Sequence, residues 1–396
     1  MRLQTRDSLI ITRESFTMQM LVLVCFVTNL SQMTTFIDAG LSTVIGGIAW
    51  LICGSCLLIN GYFNLRKRSL TIIIVSCIFC FLVLLNFIIT REDYWASAHI
   101  KSLVIALYVY FIGCGLSSNI SFKTFDRVIW AYVISACIVA IDVYIRFFAS
   151  GFDIASRIYV YDSKNSLSQI LLTAIVLLVF GLNKKEKGLA IKWGIIIGLF
   201  LLLCAMKSRA TLLGFFAIYF FFLANRNIRK SIKICSIILV IGALVFIMTN
   251  ASAYKLIIND IIFAGRNATN INDITSGRVY LINEALRLIN DYLFFGVGSY
   301  YLDCYPIAVI LQFGLLPGIV LCIVAVLPLF FIIREIRYSE NSYNIYISFF
   351  IIVVTYLING IFEALTPLGP GVKCYFLWLL YGILINRPTA YVENKE

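Results

Sequence analysis

Charge is scarce in this sequence. Only 13% of the 396 residues are charged and 61% are hydrophobic, where an ordinary soluble domain has about 25% and about 45–50%. Histidine is nearly absent: His99, at a helix edge, is the only one, so no metal cluster can be built around it. No GxxxxGK[ST] loop is present, which argues against direct use of a nucleoside triphosphate. The short alternating segments of a membrane β-barrel are missing. So are internal repeats, low-complexity tracts and any soluble domain. No cleavable signal peptide is expected, because the N-terminal "MRLQTRDSLIITRE" is polar and a full-length span follows it.

What remains is membrane-grade apolar sequence, with a mean hydropathy of +0.94. Runs such as "TIIIVSCIFCFLVLLNFIIT" reach the roughly 20 residues a spanning helix needs. The expected fold is an all-α polytopic membrane protein, a single integral membrane domain over residues 1–396 with about twelve spans. They fall near 17–36, 41–62, 70–90, 101–118, 128–148, 166–183, 189–206, 210–225, 232–250, 307–333, 344–361 and 373–386. With the N-terminus taken as cytoplasmic, 19 Lys and Arg fall on that side and 11 on the other. Every short, strongly basic loop lies in the larger set, so both termini are expected in the cytoplasm. The net charge of +12 is therefore topological and gives no reason to expect nucleic acid. The other face carries one outsized loop, 251–306.

Most of the 12 cysteines lie inside apolar runs, including the CxxC pairs Cys53/Cys56 and Cys77/Cys80. They read as small apolar residues rather than redox or metal motifs. Gly194 and Gly198 form a GxxxG, a weak signal of helix packing.

Against this background the polar residues of the large loop stand out. "TSGRVYLINEAL" (275–286) begins a helix expected over 276–292, with Thr275 or Ser276 as N-cap. Ile282, Ala285, Leu286, Ile289 and Leu293 form its apolar stripe. Arg278 stands in the first turn, where a cation opposes the helix dipole. An anion sharing the site would resolve that conflict, with backbone N–H groups and a guanidinium converging on a phosphate. Lys207 and Arg209, in "AMKSRATLL", form a charged turn between two spans, and charges at a membrane edge are often functional. Asp303, Glu284 and Glu363 are candidate general bases. Asp303 is equally readable as a helix N-cap, and Glu363 as a snorkelling residue at a span end. Arg157, Asp162, Arg287 and Tyr305 are weaker candidates for contacts to sugar hydroxyls.

The ordered set Lys207-Ser208-Arg209, Ser276-Gly277-Arg278, Gly296-Val297-Gly298 and Tyr305-Pro306, leading to Gly314 and Gly318, resembles the O-antigen polymerase/ligase family. The final "GIFEALTP…FLWLLYGIL" is similar to its C-terminal spans, so the resemblance covers roughly residues 160–386. It implies a C-type glycosyltransferase fold in the bacterial inner membrane, with loop 251–306 in the periplasm. It implies an undecaprenyl-diphosphate-linked glycan as substrate, membrane lipids as surroundings, and a chain-length regulator protein as a partner. Arg209 and Arg278 would hold the diphosphate, helped by Lys207. No metal or other cofactor is expected, since the arginines can neutralise the leaving group. Family members often follow the Tyr-Pro with His-Asn, the His being the presumed base of ligases. Ile307 and Ala308 stand there in this sequence. The resemblance thus points first to a polysaccharide polymerase, with the ligase as one alternative. A flippase or transporter is the other, although the related halves of a two-half carrier are not visible.

Overall fold

In a computed structural model the chain is helical, and no strand occurs among the described residues. The described residues are all except 1, 62–64, 92–93, 95–96, 119, 152–163, 182–188, 226–227, 264–271, 273–274, 276, 299, 339–342, 370 and 388–396, with backbone alone at 2–15, 122, 189, 337–338, 343–344 and 371. Among the described residues, seven helices are long and apolar enough to cross a membrane: Ser42–Ile59, Lys67–Thr90, Ala98–Leu116, Lys123–Ala149, Lys164–Gly181, Lys230–Thr249 and Leu315–Ile336. Five shorter apolar helices join them, Phe16–Leu30, Ala190–Ala205, Arg209–Ala224, Ile345–Gly360 and Val372–Asn386. Each lies on one of the apolar runs of the sequence, and the protein is a polytopic helical membrane protein.

The helices pack where small or polar residues let them meet, since apolar surface alone does not favour protein over lipid. The tightest crossing joins Ala98–Leu116 to Gly371–Asn386 through Gly113 and Gly382. A Cβ at Gly113 would stand 2.5 Å from the Leu379 carbonyl oxygen. The expected GxxxG seam is not used: a Cβ on Gly194 or Gly198 would meet nothing within 4 Å. Buried Asn29 ties three helices together, donating to the Tyr132 carbonyl (3.2 Å) and Ser135 Oγ (3.0 Å) and accepting from the Tyr375 hydroxyl (3.2 Å). Helix Lys230–Thr249 lies at the other extreme, with no buried residue at all.

The two ends of the bundle differ. At one, basic loops meet chain termini of helices: Arg66 N–H donates to Asn386 Oδ1 (2.8 Å), Arg66 Nη1 to the Arg387 carbonyl (2.9 Å), and Arg68 pairs with Glu335 (3.2 Å). The opposite end contains irregular backbone. The expected span 307–333 is in fact broken at Gly314 into Tyr305–Phe313 and Leu315–Tyr338. A helix that stops inside a membrane protein exposes carbonyls that lipid cannot satisfy, so protein must do it. Here Val297 N–H bonds the Leu311 carbonyl (2.8 Å), Gly298 N–H the Gln312 carbonyl (3.1 Å), and Asn86 Nδ2 the Phe313 carbonyl (2.7 Å). This explains the Gly-Val-Gly run. Gly296 and Gly314 have φ of +73° and +86°, and a Cβ on Gly296 would lie 2.5 Å from the Gln312 carbonyl oxygen.

Candidate active site

The segment 293–304, clamped on the broken span, delivers the first charged group. Tyr301 and Asp303 follow the clamp directly, and helix Arg278–Asp291 packs over it through Ile282, Ala285, Leu288 and Ile289. This corrects the expected stripe: Leu286 is 47% exposed and Leu288 takes its place. The helix starts later than expected. Its N-cap is Gly277 at φ +78°, with no side-chain cap of its own. Thr275 Oγ1 and Asn272 Oδ1 reach in from upstream instead, accepting from Val279 N–H (3.4 Å) and Tyr280 N–H (3.0 Å). Ser276 lies outside the described residues.

The anion that Arg278 called for is supplied by the protein. Arg278 Nη2 donates to Asp303 Oδ2 at 2.9 Å, and Tyr301 donates to Asp303 Oδ1 at 2.7 Å. Both groups of the ion pair are about three-quarters buried, at 22% and 28% exposure. Arg278 Nε is buried and has no hydrogen-bond partner among the described residues, so the guanidinium is oriented by Asp303 but not saturated by it.

A second charged group forms where spans end. Helix Tyr343–Gly360 stops, and the irregular stretch 361–369 precedes Gly371–Asn386. Buried donors hold this stretch: His99 Nε2 lies 2.9 Å from the Ala364 carbonyl, and Trp378 Nε1 donates to the Pro367 carbonyl at 2.8 Å. Glu363 sits in it. Its Oε1 accepts from Asn165 Nδ2, and its Oε2 lies 3.7 Å from Lys373 Nζ. The Lys373 side chain is fully buried and its ammonium makes no hydrogen bond among the described residues. Burying an ion costs several kcal/mol even after relaxation, on the order of what a whole hydrogen-bond network returns. Asn165 also accepts from Ser208 Oγ (3.1 Å), which joins Glu363 to the Lys207-Ser208-Arg209 turn. Lys207 is buried, and its φ of +52° is a conformation non-glycine residues rarely adopt outside functional or over-determined sites. Arg209 is half-exposed at the first position of its helix.

Tyr301 is 75% exposed as a residue, yet its phenol is pushed up from its ordinary value, by desolvation first, then by its bond to Asp303, and by the charges of Asp303 and Glu363, with Arg278 opposing. Arg278, Asp303 and Tyr301 form one bonded group, and Glu363, Lys373, Asn165 and Ser208 form another; together they make up the candidate site. The other candidates stay out of it. Glu284 and Arg287 are exposed on helix Arg278–Asp291. Tyr305 is buried, and its hydroxyl bonds the Leu321 carbonyl (3.2 Å), a packing role inside the broken span. Arg157 and Asp162 lie outside the described residues. Sequence reasoning misses Asn165 and Lys373. Lys373 reads as one more loop cation, because hydropathy locates a residue along a span and says nothing of which side faces protein.

Such a fold and site define a polytopic membrane protein with paired charges held at one end of the bundle by irregular backbone. Residues 193–318 match a family model described as O-antigen ligase, consistent with the O-antigen polymerase/ligase family, whose members are glycosyl-transferring enzymes. The match spans the Lys207-Ser208-Arg209 turn, Arg278, Asp303 and the break at Gly314. No curated protein matches the chain.

Proposed function

We propose that this protein polymerises undecaprenyl-diphosphate-linked oligosaccharide repeat units into O-antigen or a capsular polysaccharide. On this reading the chain is one membrane domain in the bacterial inner membrane, both termini are cytoplasmic, and loop 251–306 is periplasmic. The observation that carries the proposal is the Arg278–Asp303 ion pair, a guanidinium three-quarters buried and oriented by its carboxylate, inside the segment that matches the family model. A lipid diphosphate is already a good leaving group. What the enzyme must supply is charge stabilisation, exclusion of water and alignment of an acceptor hydroxyl with the anomeric carbon. Arg278 is suited to stabilising the charge. It is a planar donor, 22% exposed, that can offer a further N–H to an anionic oxygen while Asp303 holds its plane. Lys207 and Arg209 add positive charge from the turn that Ser208 ties to Glu363. A chain-length regulator acting on the polymer is part of the same proposal.

Ligation to a lipid A core is the second reading, favoured by the description of the matching family model. Ile307 and Ala308 count against it, standing where many family members have His-Asn. One assay separates the readings. Deletion of the gene leaves a single repeat unit on the core for a polymerase, free lipid-linked polymer with bare core for a ligase, and no surface glycan for a flippase. Arg278→Ala should reproduce the deletion at normal protein level. A normal long ladder from that variant would sink the diphosphate assignment.

A further inference from the structure

The reaction needs a proton acceptor, and three carboxylates are open to that role. Their surroundings separate them. Glu284 is exposed to solvent on helix Arg278–Asp291, where no protein group fixes its carboxylate among the described residues. Asp303 has both oxygens engaged, one by Arg278 and one by Tyr301, and its partner is the very guanidinium that would hold the diphosphate. A base in that position would give up its hold on Arg278 whenever it took a proton. Glu363 is placed otherwise. It is four-fifths buried, at 19% side-chain exposure, on a stretch whose carbonyls are pinned by His99 and Trp378. Asn165 fixes one oxygen. The other faces Lys373 at 3.7 Å, beyond hydrogen-bond distance, so its lone pairs remain available. Lys373 is the odd feature of the bundle: a fully buried ammonium with, among the described residues, no hydrogen bond and a single ion-pair contact, to that carboxylate. Its helix is anchored beside it, the Tyr356 hydroxyl donating to the Lys373 carbonyl at 2.6 Å. Ionisable groups at such depth are expensive and mark function more often than stability.

We infer that Glu363 is the catalytic base and that buried Lys373 and Asn165 are its positioning residues, an inference that rests on the polymerase reading above. The acceptor hydroxyl oxygen forms a bond to the anomeric carbon of the donor glycan. The bond from that carbon to the diphosphate oxygen breaks, and its electron pair leaves on the diphosphate. The hydroxyl proton passes to Glu363. Lys373 aims the carboxylate without occupying it, and Asn165, through Ser208, ties its position to the turn that carries Lys207 and Arg209.

The test uses the full-length protein purified in detergent, with undecaprenyl diphosphate as binding probe and the lipid-linked repeat unit as substrate. Glu363→Gln should lower kcat by about 10²–10⁴-fold, the range general bases supply, with KM and probe affinity unchanged. Lys373→Met should lower kcat in the same direction, and the double variant should be no worse than Glu363→Gln alone. Lys373→Arg should restore most of the rate lost in Lys373→Met, which a merely space-filling role would not do. Normal turnover in Glu363→Gln overturns the inference, and so does loss of probe binding in Glu363→Gln or Lys373→Met. If Arg278→Ala abolishes polymer while Glu363→Gln does not, the base assignment alone fails. If neither variant nor the gene deletion changes the glycan ladder, the polymerase reading fails.

Discussion

Arg278 and Asp303 show how a single contact changes the meaning of a residue. Alone, an arginine in the first turn of a helix is unfavourable, and that anomaly singles it out in the sequence. With Asp303 at 2.9 Å the local charge is balanced within the protein. The pair is still a quarter exposed, so solvent screening limits its stabilising effect to on the order of 1 kcal/mol, and its value lies in orientation. Replacing Arg278 by Lys keeps the charge but loses the planar fork. Loss of one charge-assisted hydrogen bond predicts a fall in activity of roughly 10–100-fold, read as kcat/KM for the lipid-linked donor. Tyr301 allows a pH statement. Its phenol is raised, mainly by desolvation and by the adjacent Asp303, so its hydrogen bond to that carboxylate is fully present below the ordinary phenol range and is lost only above it. Tyr301→Phe should therefore lower activity about 3–10-fold, the effect of one neutral-donor hydrogen bond, by the same factor at pH 7 and pH 9. A defect confined to alkaline pH would contradict this.

At the level of elements, the glycines that matter are those at breaks. Gly314→Ala forces a non-glycine residue to φ +86° against the backbone of Phe294 and Phe295, a strain of about 1–3 kcal/mol before any overlap is counted. Its thermal midpoint in detergent should fall and long glycan chains should be lost. Gly194→Ala, with nothing within 4 Å of the new methyl, should behave as wild type or slightly better. Equal effects in the two variants would show that the break is not strained. The spans themselves are legible in the sequence, because each is a run of apolar residues and lipid sets its length. The break at Gly314 is not, because "LQFGLLPG" is apolar on both sides and hydropathy carries no sign of direction. The site is legible where a charge is conspicuous, as at Lys207 and Arg278. It is hidden where its sense depends on partners far away in sequence: Asp303 lies 25 residues from Arg278, and Asn165 lies 198 from Glu363.

For the whole molecule, Arg66, Arg68, Glu335 and Asn386 meet at one end and Asn165, Ser208 and Glu363 at the other, and the proposed topology makes the first end cytoplasmic. Alkaline phosphatase, which needs disulfides to fold, should be inactive when fused after Arg68 and active when fused after Gly277; the reverse pattern would invert the orientation. The same architecture bears on turnover. Product release limits many enzymes, and an undecaprenyl diphosphate freed by transfer would cling to any bare guanidinium. Asp303 is a tethered rival for Arg278, present at constant effective concentration and unable to diffuse away. On the proposed polymerase reading, the carboxylate that stays on Nη2 shares the arginine's charge with the spent lipid and loosens its hold, so the resting ion pair would ease the exit step of the cycle.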